Sequence, residues 1–384
     1  MTEVLFEEPQ DCQGSSFHLK KPRLTINGRV FTQKVTGVQR YAREIIAALD
    51  RLLEERQEDY ALDARVLMPP SAANGLGLHN IRTEVTKGKL KDQIWTQCLL
   101  PVLSRGVLLS LGNNGPVFGR NHIVCIHDLN TFLVPESYNL AFRGTYRILL
   151  PLLAKCAARV VTVSAFSARM LNKFGLLPLE KITVIPNGHE HVLAWKPKNS
   201  IYAKPPERPY IFALGSQARH KNISILLAIA QELDELGFDL LIAGSASGNF
   251  TPFEIKVARN VHVLGSVADD DLAALFQNAF CFAFPSLTEG FGLPALEAMV
   301  LGCPVITTSY ASLPEVCGRA ALYADPKSPA SWLERVRHLR DDEGLAAELR
   351  ARGPRQAARF SWTTSAQLYL DLIIPMIRDS EKCL

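Results

Sequence analysis

From Arg23 to Thr307, short unbroken apolar runs alternate with longer stretches of helical periodicity. A run without polar alternation is buried on both faces, and such strands separated by helices pack as a parallel sheet. The runs expected as strands are 23–27, 64–68, 107–111, 123–126, 160–163 and 182–185, with helices over 38–55, 92–103, 142–158 and 165–174. Pro197, Pro205, Pro206 and Pro209 then break the rhythm, as a linker does. A second series follows, with strands at 210–214, 239–243, 261–264, 280–284 and 304–307 and a closing helix over about 362–377.

The chain has 384 residues, more than one hydrophobic core usually serves. The division expected is a disordered leader (1–22), an α/β domain (23–190), a linker (191–209), a second α/β domain (210–359) and a C-terminal helix (360–384). Return of that helix to the first domain is one option. Two tandem open α/β sheets leave a cleft between them, and ligands on such sheets bind beyond the carboxyl ends of strands. Chemistry-bearing residues should therefore follow strands directly.

Several functional classes are disfavoured. No apolar stretch reaches the roughly 20 residues of a membrane span, and 1–21 lacks the basic-then-apolar order of a secretory signal. The eight cysteines include no C-x-x-C pair, which argues for free thiols, a reducing compartment and a cytoplasmic location. No G-x-G-x-x-G follows either first strand, against a dinucleotide-dependent dehydrogenase. Residues 1–192 carry 23 Lys+Arg against 17 Asp+Glu, a net +6, and residues 193–384 carry 19 against 21, a net −2. A basic half without interleaved aromatics does not indicate nucleic acid. Lys87, Lys89 and Lys91 followed by Ile94, Trp95, Leu99 and Leu100 form a basic and apolar segment suited to an anionic lipid surface with Trp95 at the interface. A core-facing helix with a basic end has the same composition.

After the run 281–284 comes P-S-L-T-E-G-F-G-L-P-A-L-E-A-M, from Pro285 to Met299. Pro294 suits a first helical position, which leaves Glu289 in the loop and Glu297 in the first turn. Gly290 and Gly292 let the backbone approach a ligand, and a helix N-terminus here suits a diphosphate. The two carboxylates suit sugar hydroxyls on either side of that anion. An ordinary capped helix with acids complementing its dipole explains the same segment equally well.

Glu289 and Glu297, separated by seven residues within E-G-F-G-L-P-x-L-E-A-M, resemble the E-x(7)-E signature of retaining glycosyltransferase family 4, whose fold is GT-B: two Rossmann-like domains facing a central cleft. Further landmarks of the resemblance are Thr36-Gly-Val-Gln-Arg-Tyr41, His127-Asp128, Val163-Ser164, Ile185-Pro-Asn-Gly188, Gly215 with Lys221-Asn222, and Leu313-Pro-Glu315. The resemblance implies that Glu289 holds donor-sugar hydroxyls beside the amides of Phe291, Gly292 and Leu293. It further implies that Glu297 binds the nucleotide ribose, that Lys221 neutralises the diphosphate and that His127 faces the reaction centre. Where relatives often place an arginine near the lysine, this chain has Ser216 and His220, so Arg219 is the candidate second cation. Gly37 lies in the turn that faces the phosphates and the acceptor.

The reaction so implied moves a hexose, best matched by mannose from a GDP-sugar, to a saccharide or lipid-linked saccharide in surface polysaccharide assembly. Retention is expected by front-side attack, with the departing phosphate taking the acceptor proton. No cofactor or metal is expected beyond the nucleotide-diphosphate sugar, and peripheral contact with the inner membrane face is an option. A UDP-sugar donor and a non-catalytic sugar-nucleotide-binding protein are the alternatives. A metal-dependent route through Asp269-Asp-Asp271 is weaker, because those residues read as the acidic first turn of a capped helix. His189-Glu-His191 has metal-like spacing but lies at the linker without a third ligand.

Overall fold

The computed structural model describes residues 23–56, 62–72, 77–88, 90–119, 121–215, 218–244 and 258–382. The expected leader lies outside them, as do Lys89 and Ser216. The first sheet holds β1 (Arg23–Asn27), β2 (Asp63–Met68), β3 (Arg82–Val85), β4 (Val107–Ser110), β5 (His122–Cys125), β6 (Arg159–Thr162) and β7 (Ile182–Val184). The second holds β8 (Tyr210–Leu214), β9 (Asp239–Ala243), β10 (Val261–Gly265), β11 (Cys281–Phe284), β12 (Val305–Thr308) and β13 (Ala321–Ala324). Their orders are β3-β2-β1-β4-β5-β6-β7 and β10-β9-β8-β11-β12-β13, and the pairings are parallel.

Each order reverses once, between β1 and β4 and between β8 and β11. At such a point the connections leave to opposite sides and open a crevice at the carboxyl ends of the strands. The central strands β4, β5, β11 and β12 are buried along their whole length, which is why they are unbroken apolar runs in the sequence. The edges are not: β3 is largely exposed and polar, and β13 is only partly buried.

The C-terminal helix Trp362–Lys382 returns to the first domain and packs on helix Gly37–Glu55. Its apolar stripe Trp362, Ala366, Tyr369, Leu370, Ile373 and Ile377 is fully or nearly fully buried. Full burial of each large member contributes about 1.5–3 kcal/mol. Tyr41 on the partner helix meets it with a hydroxyl-to-hydroxyl contact of 3.0 Å to Tyr369. The helix expected over 92–103 is interrupted: Asp92–Ile94 passes through a π-helical turn, Trp95–Leu99, before Leu100–Leu103. Pro101 lies in this stretch, and the missing N–H of proline weakens regular helical bonding there.

Candidate active site

At the second reversal, the loop after β8 and the loop after β11 leave the same, carboxyl, end of adjacent parallel strands. The first carries a short 3-10 turn, Arg219–Lys221, which ends at Asn222 in the left-handed conformation (φ 54°). The second carries Glu289. Lys221 Nζ reaches Glu289 Oε1 at 2.7 Å, with the lysine side chain 21% and the glutamate 12% exposed. The ammonium also sits over the Phe284 ring, 5.6 Å from its centroid. Residues 68 positions apart are thus joined into one charged pair at the crevice. Arg219 is exposed on the same turn, whereas His220 is buried, its N–H donating to Ser137 Oγ at 3.1 Å. Burial pushes the His220 imidazole down to about 3, so it stays neutral.

The following helix begins at Leu293, one residue earlier than expected, because Gly292 takes φ 100° and serves as its N-cap. Pro294 is therefore the second helical residue, and Glu297 lies in the second turn rather than the first. Its side chain is buried, and Oε1 lies 3.0 Å from His191 Nε2. Phe291 and Leu293 turn their side chains into the core; the first N–H groups of a helix have no partner within it. Ser312 Oγ fixes this loop by sharing its one hydrogen between the carbonyls of Glu289 (3.0 Å) and Phe291 (2.8 Å).

The two glycines of the loop are needed for different reasons. Gly292 supplies the positive φ. A Cβ at Gly290 would fall 2.6 Å from the His127 carbonyl oxygen and 3.2 Å from Asp128 Cβ, so Gly290 permits close approach of the opposite domain, where a ligand had been expected. Gly37 is the first residue of its helix, and a Cβ there would meet nothing within 4 Å; no packing demand fixes glycine at that position.

His127 follows β5 as expected. Its Nε2–H donates to the Leu111 carbonyl at 2.9 Å, and its ring meets Tyr41 edge-on, with centroids 4.8 Å apart. Burial lowers its pKa to about 4. Asp128 accepts from the Asn130 N–H at 2.9 Å, and burial holds its carboxyl above the ordinary range, with the Glu289 charge adding to that and Lys221 opposing it. His127, Asp128, Glu289 and Lys221 therefore belong to one neighbourhood.

Direct bonds close the two domains over this neighbourhood. Ser164 Oγ donates to the Gly290 carbonyl at 2.6 Å, Thr288 Oγ1 to Asn130 Oδ1 at 3.0 Å, and the Ala165 N–H to Glu315 Oε1 at 2.9 Å. Glu315 so completes the N-terminus of helix Ala165–Lys173, which Ser164 caps from within at 3.0 Å. Neither Thr288 nor Asn130 was singled out by sequence, since a lone hydroxyl or amide carries no pattern of its own.

The His189-Glu-His191 triplet is dispersed over three jobs. His189 Nδ1–H donates to the Phe360 carbonyl at 2.6 Å, Glu190 accepts from the Trp362 N–H at 2.9 Å, and His191 faces Glu297. The metal-like spacing was thus the visible trace of a residue that bonds to Glu297. Asp269 pairs with Arg40, Asp270 accepts from the Lys196 N–H at 2.7 Å, and Asp271 accepts from Ser200 Oγ at 2.6 Å. The three carboxylates tether the linker and the first domain. Among the described residues no cluster of three or more His, Cys, Asp or Glu is arranged to hold a metal, and no helix is long and apolar enough to cross a membrane.

The expectation for Trp95 is overturned. Trp95 is fully buried with Leu67, Leu100 and Leu108, and its indole N–H donates to Thr86 Oγ1 at 2.8 Å. An indole that has both a core and a hydrogen-bond acceptor has nothing to gain at a lipid interface. Lys87, Leu90, Lys91 and Ile94 remain exposed.

Residues 196–356 match the glycosyl transferases group 1 family, and residues 107–193 match glycosyltransferase family 4. The chain is 30% identical over 280 residues to the O-antigen chain mannosyltransferase B of Escherichia coli, a match covering 65% of this chain and 70% of that protein. It is 27% identical over 224 residues to the O-antigen chain mannosyltransferase RfbU of Salmonella typhimurium, covering 57% of this chain and 61%, under two thirds, of that relative. The sucrose-phosphate synthase of Thermosynechococcus elongatus superposes with a TM-score of 0.70 over 93% of this chain and 100% of that one, at 17% identity. At that identity the likeness concerns the fold alone.

Proposed function

Because the chain belongs to glycosyltransferase family 4 and has the two facing α/β sheets of the GT-B fold, we propose that it is a retaining, metal-independent hexosyltransferase using a nucleotide-diphosphate sugar. The observation that carries this is the Lys221–Glu289 pair at the reversal point of the second sheet, with Glu297 beyond it in the second turn of the helix that begins at Leu293. One cation, one carboxylate for sugar hydroxyls and one for the ribose match the parts of such a donor in order.

The bond to be broken joins the anomeric carbon to the diphosphate. As it stretches, negative charge grows on the bridging oxygen, and Lys221, Arg219 and the amides of Phe291, Gly292 and Leu293 are the groups that stabilise it. Glu289 holds the sugar hydroxyls, and Gly37 leaves room on the opposite wall. The acceptor hydroxyl attacks from the face the phosphate leaves, and its proton passes to a phosphate oxygen, so no protein base is required. His127, neutral near pH 7 and held by Leu111, serves as a fixed polar wall for the sugar.

Mannose from a GDP-sugar is the donor we favour, since the relatives above are named mannosyltransferases; a UDP-sugar is the alternative. The acceptor is a saccharide or lipid-linked saccharide of surface polysaccharide assembly, met in the cytoplasm at the inner membrane face. A thermal-shift screen of nucleoside diphosphates tests the donor site. A ligand at 100 times its dissociation constant stabilises the fold by about 2.7 kcal/mol, and no shift with any of GDP, UDP, ADP or CDP would contradict the proposal.

A further inference from the structure

The chain passes between the domains twice, and the crossings are fastened to each other. A Cβ at Gly188 would fall 2.1 Å from the Trp362 nitrogen, so the two backbones are in contact. Glu190 accepts from the Trp362 N–H and from Ser361 Oγ, and Ser365 Oγ donates to the Pro186 carbonyl at 2.7 Å. His191 leaves this joint pointing into the second domain. Its side chain is 2% exposed and bonded at both ring nitrogens: Nδ1 lies 3.0 Å from Trp362 Nε1, and Nε2 lies 3.0 Å from Glu297 Oε1.

The chemistry of the partners fixes the direction of both bonds. An indole N–H can only donate, so Nδ1 accepts and carries no proton. The ring proton is then on Nε2, which donates to the Glu297 carboxylate. Trp362 thereby selects the tautomer that Glu297 requires, much as an outer partner selects the tautomer of a ligating histidine. A carboxylate buried this far has few competing donors, so one fixed N–H sets the plane of the group and the direction of its remaining lone pairs.

We propose that His191 is a positioning residue of the donor site, holding Glu297 in the orientation that receives the nucleotide ribose, with Trp362 holding His191 in turn. The inference rests on the reading of Glu297 as the ribose ligand. It adds that the orientation of this carboxylate is set by the joint where both interdomain crossings meet.

The test uses calorimetric affinity for GDP and UDP, together with KM and kcat for donor turnover, in the full-length protein. His191→Phe keeps a ring but removes both nitrogens; we expect about tenfold weaker nucleoside diphosphate binding, the scale of losing one hydrogen bond to a charged group. KM for the donor should rise more than kcat falls. His191→Gln, whose amide N–H can stand near Nε2, should recover most of the affinity, and His191→Asn, which is too short, should not. The His191→Phe/Glu297→Ala double variant should bind no more weakly than Glu297→Ala alone. If Glu297→Ala is weakened and His191→Phe binds like wild type, this inference alone falls. If Glu297→Ala itself binds like wild type, the ribose reading falls and the inference with it. Should His191→Phe fail to fold, equal affinity of the Gln and Asn variants overturns the proposal.

Discussion

Lys221 and Glu289 are hydrogen-bonded partners at 2.7 Å, both largely shielded from water. The cation proposed to meet the diphosphate is therefore already neutralised by the carboxylate proposed to hold the sugar. Donor binding exchanges one anion for another around Nζ, which leaves little net gain in the ground state. The gain comes when the bridging oxygen acquires charge.

Lys221→Ala should accordingly lower kcat by about 10²-fold or more, the scale for losing one group that stabilises developing charge, while changing donor KM less. Steady-state kinetics check this, and a KM effect larger than the kcat effect would assign Lys221 to ground-state binding.

Gly290→Ala probes domain closure. The added methyl would meet the His127 carbonyl at 2.6 Å, and overpacking of this kind costs about 1–3 kcal/mol. Only the closed arrangement suffers, so kcat/KM should fall by roughly 10- to 100-fold while nucleoside diphosphate affinity, a property of the second domain, stays near wild type. Loss of both together would indicate instead a damaged loop.

Acid stability should be governed by buried neutral histidines. His122 and His127 are pushed down to about 4, and His220 to about 3, by burial. The unfolded chain takes up protons near 6.5 while the native state refuses them, so stability is full above pH 6.5 and falls as the pH drops toward 4. Each such histidine contributes up to about 1.4 kcal/mol per pH unit in that window; Asp128, raised rather than lowered, acts in the opposite sense. Urea unfolding between pH 4.5 and 7.5 should show this slope, and His122→Gln should flatten it by about one proton.

The Lys87/Lys89/Lys91→Glu variant tests lipid contact. With Trp95 in the core, the apolar share is left to Leu90 and Ile94, 42% and 48% exposed, and each lysine near an anionic surface adds about 1 kcal/mol. Sedimentation with anionic vesicles and transfer to a lipid-linked acceptor should drop while donor affinity is kept. Equal vesicle binding at low salt would make the segment an ordinary solvated helix end.

The legible parts of this molecule are those where burial on both faces leaves an unbroken apolar run. β1, β8 and β9 match their expected bounds, and the other buried strands shift by about a residue at one or both ends. β3 escaped because its residues Arg82, Thr83 and Glu84 form no apolar run, and the four-residue edge strand β13 was also missed. Within the site, residues placed directly after strands, Lys221, His127 and Glu289, were found where the fold puts them. Gly290 has a packing reason beside the one expected, since a sequence shows that a Cβ is absent but not which neighbour requires it. His191 and Trp362 lie 171 residues apart, and no local spacing announces that their side chains are hydrogen-bonded to each other.

The most direct measurement is release of nucleoside diphosphate from GDP-mannose and a panel of UDP-sugars by purified protein in the presence of a chelator, with a saccharide acceptor. Wild type is expected to turn over one class of donor with retention of anomeric configuration and no requirement for added divalent ion, and Lys221→Ala is expected to lose about 10²-fold or more of that rate. Failure to turn over any sugar nucleotide in the panel, or turnover unaffected by Lys221→Ala, would contradict the assignment of this cleft as a glycosyl-transfer site.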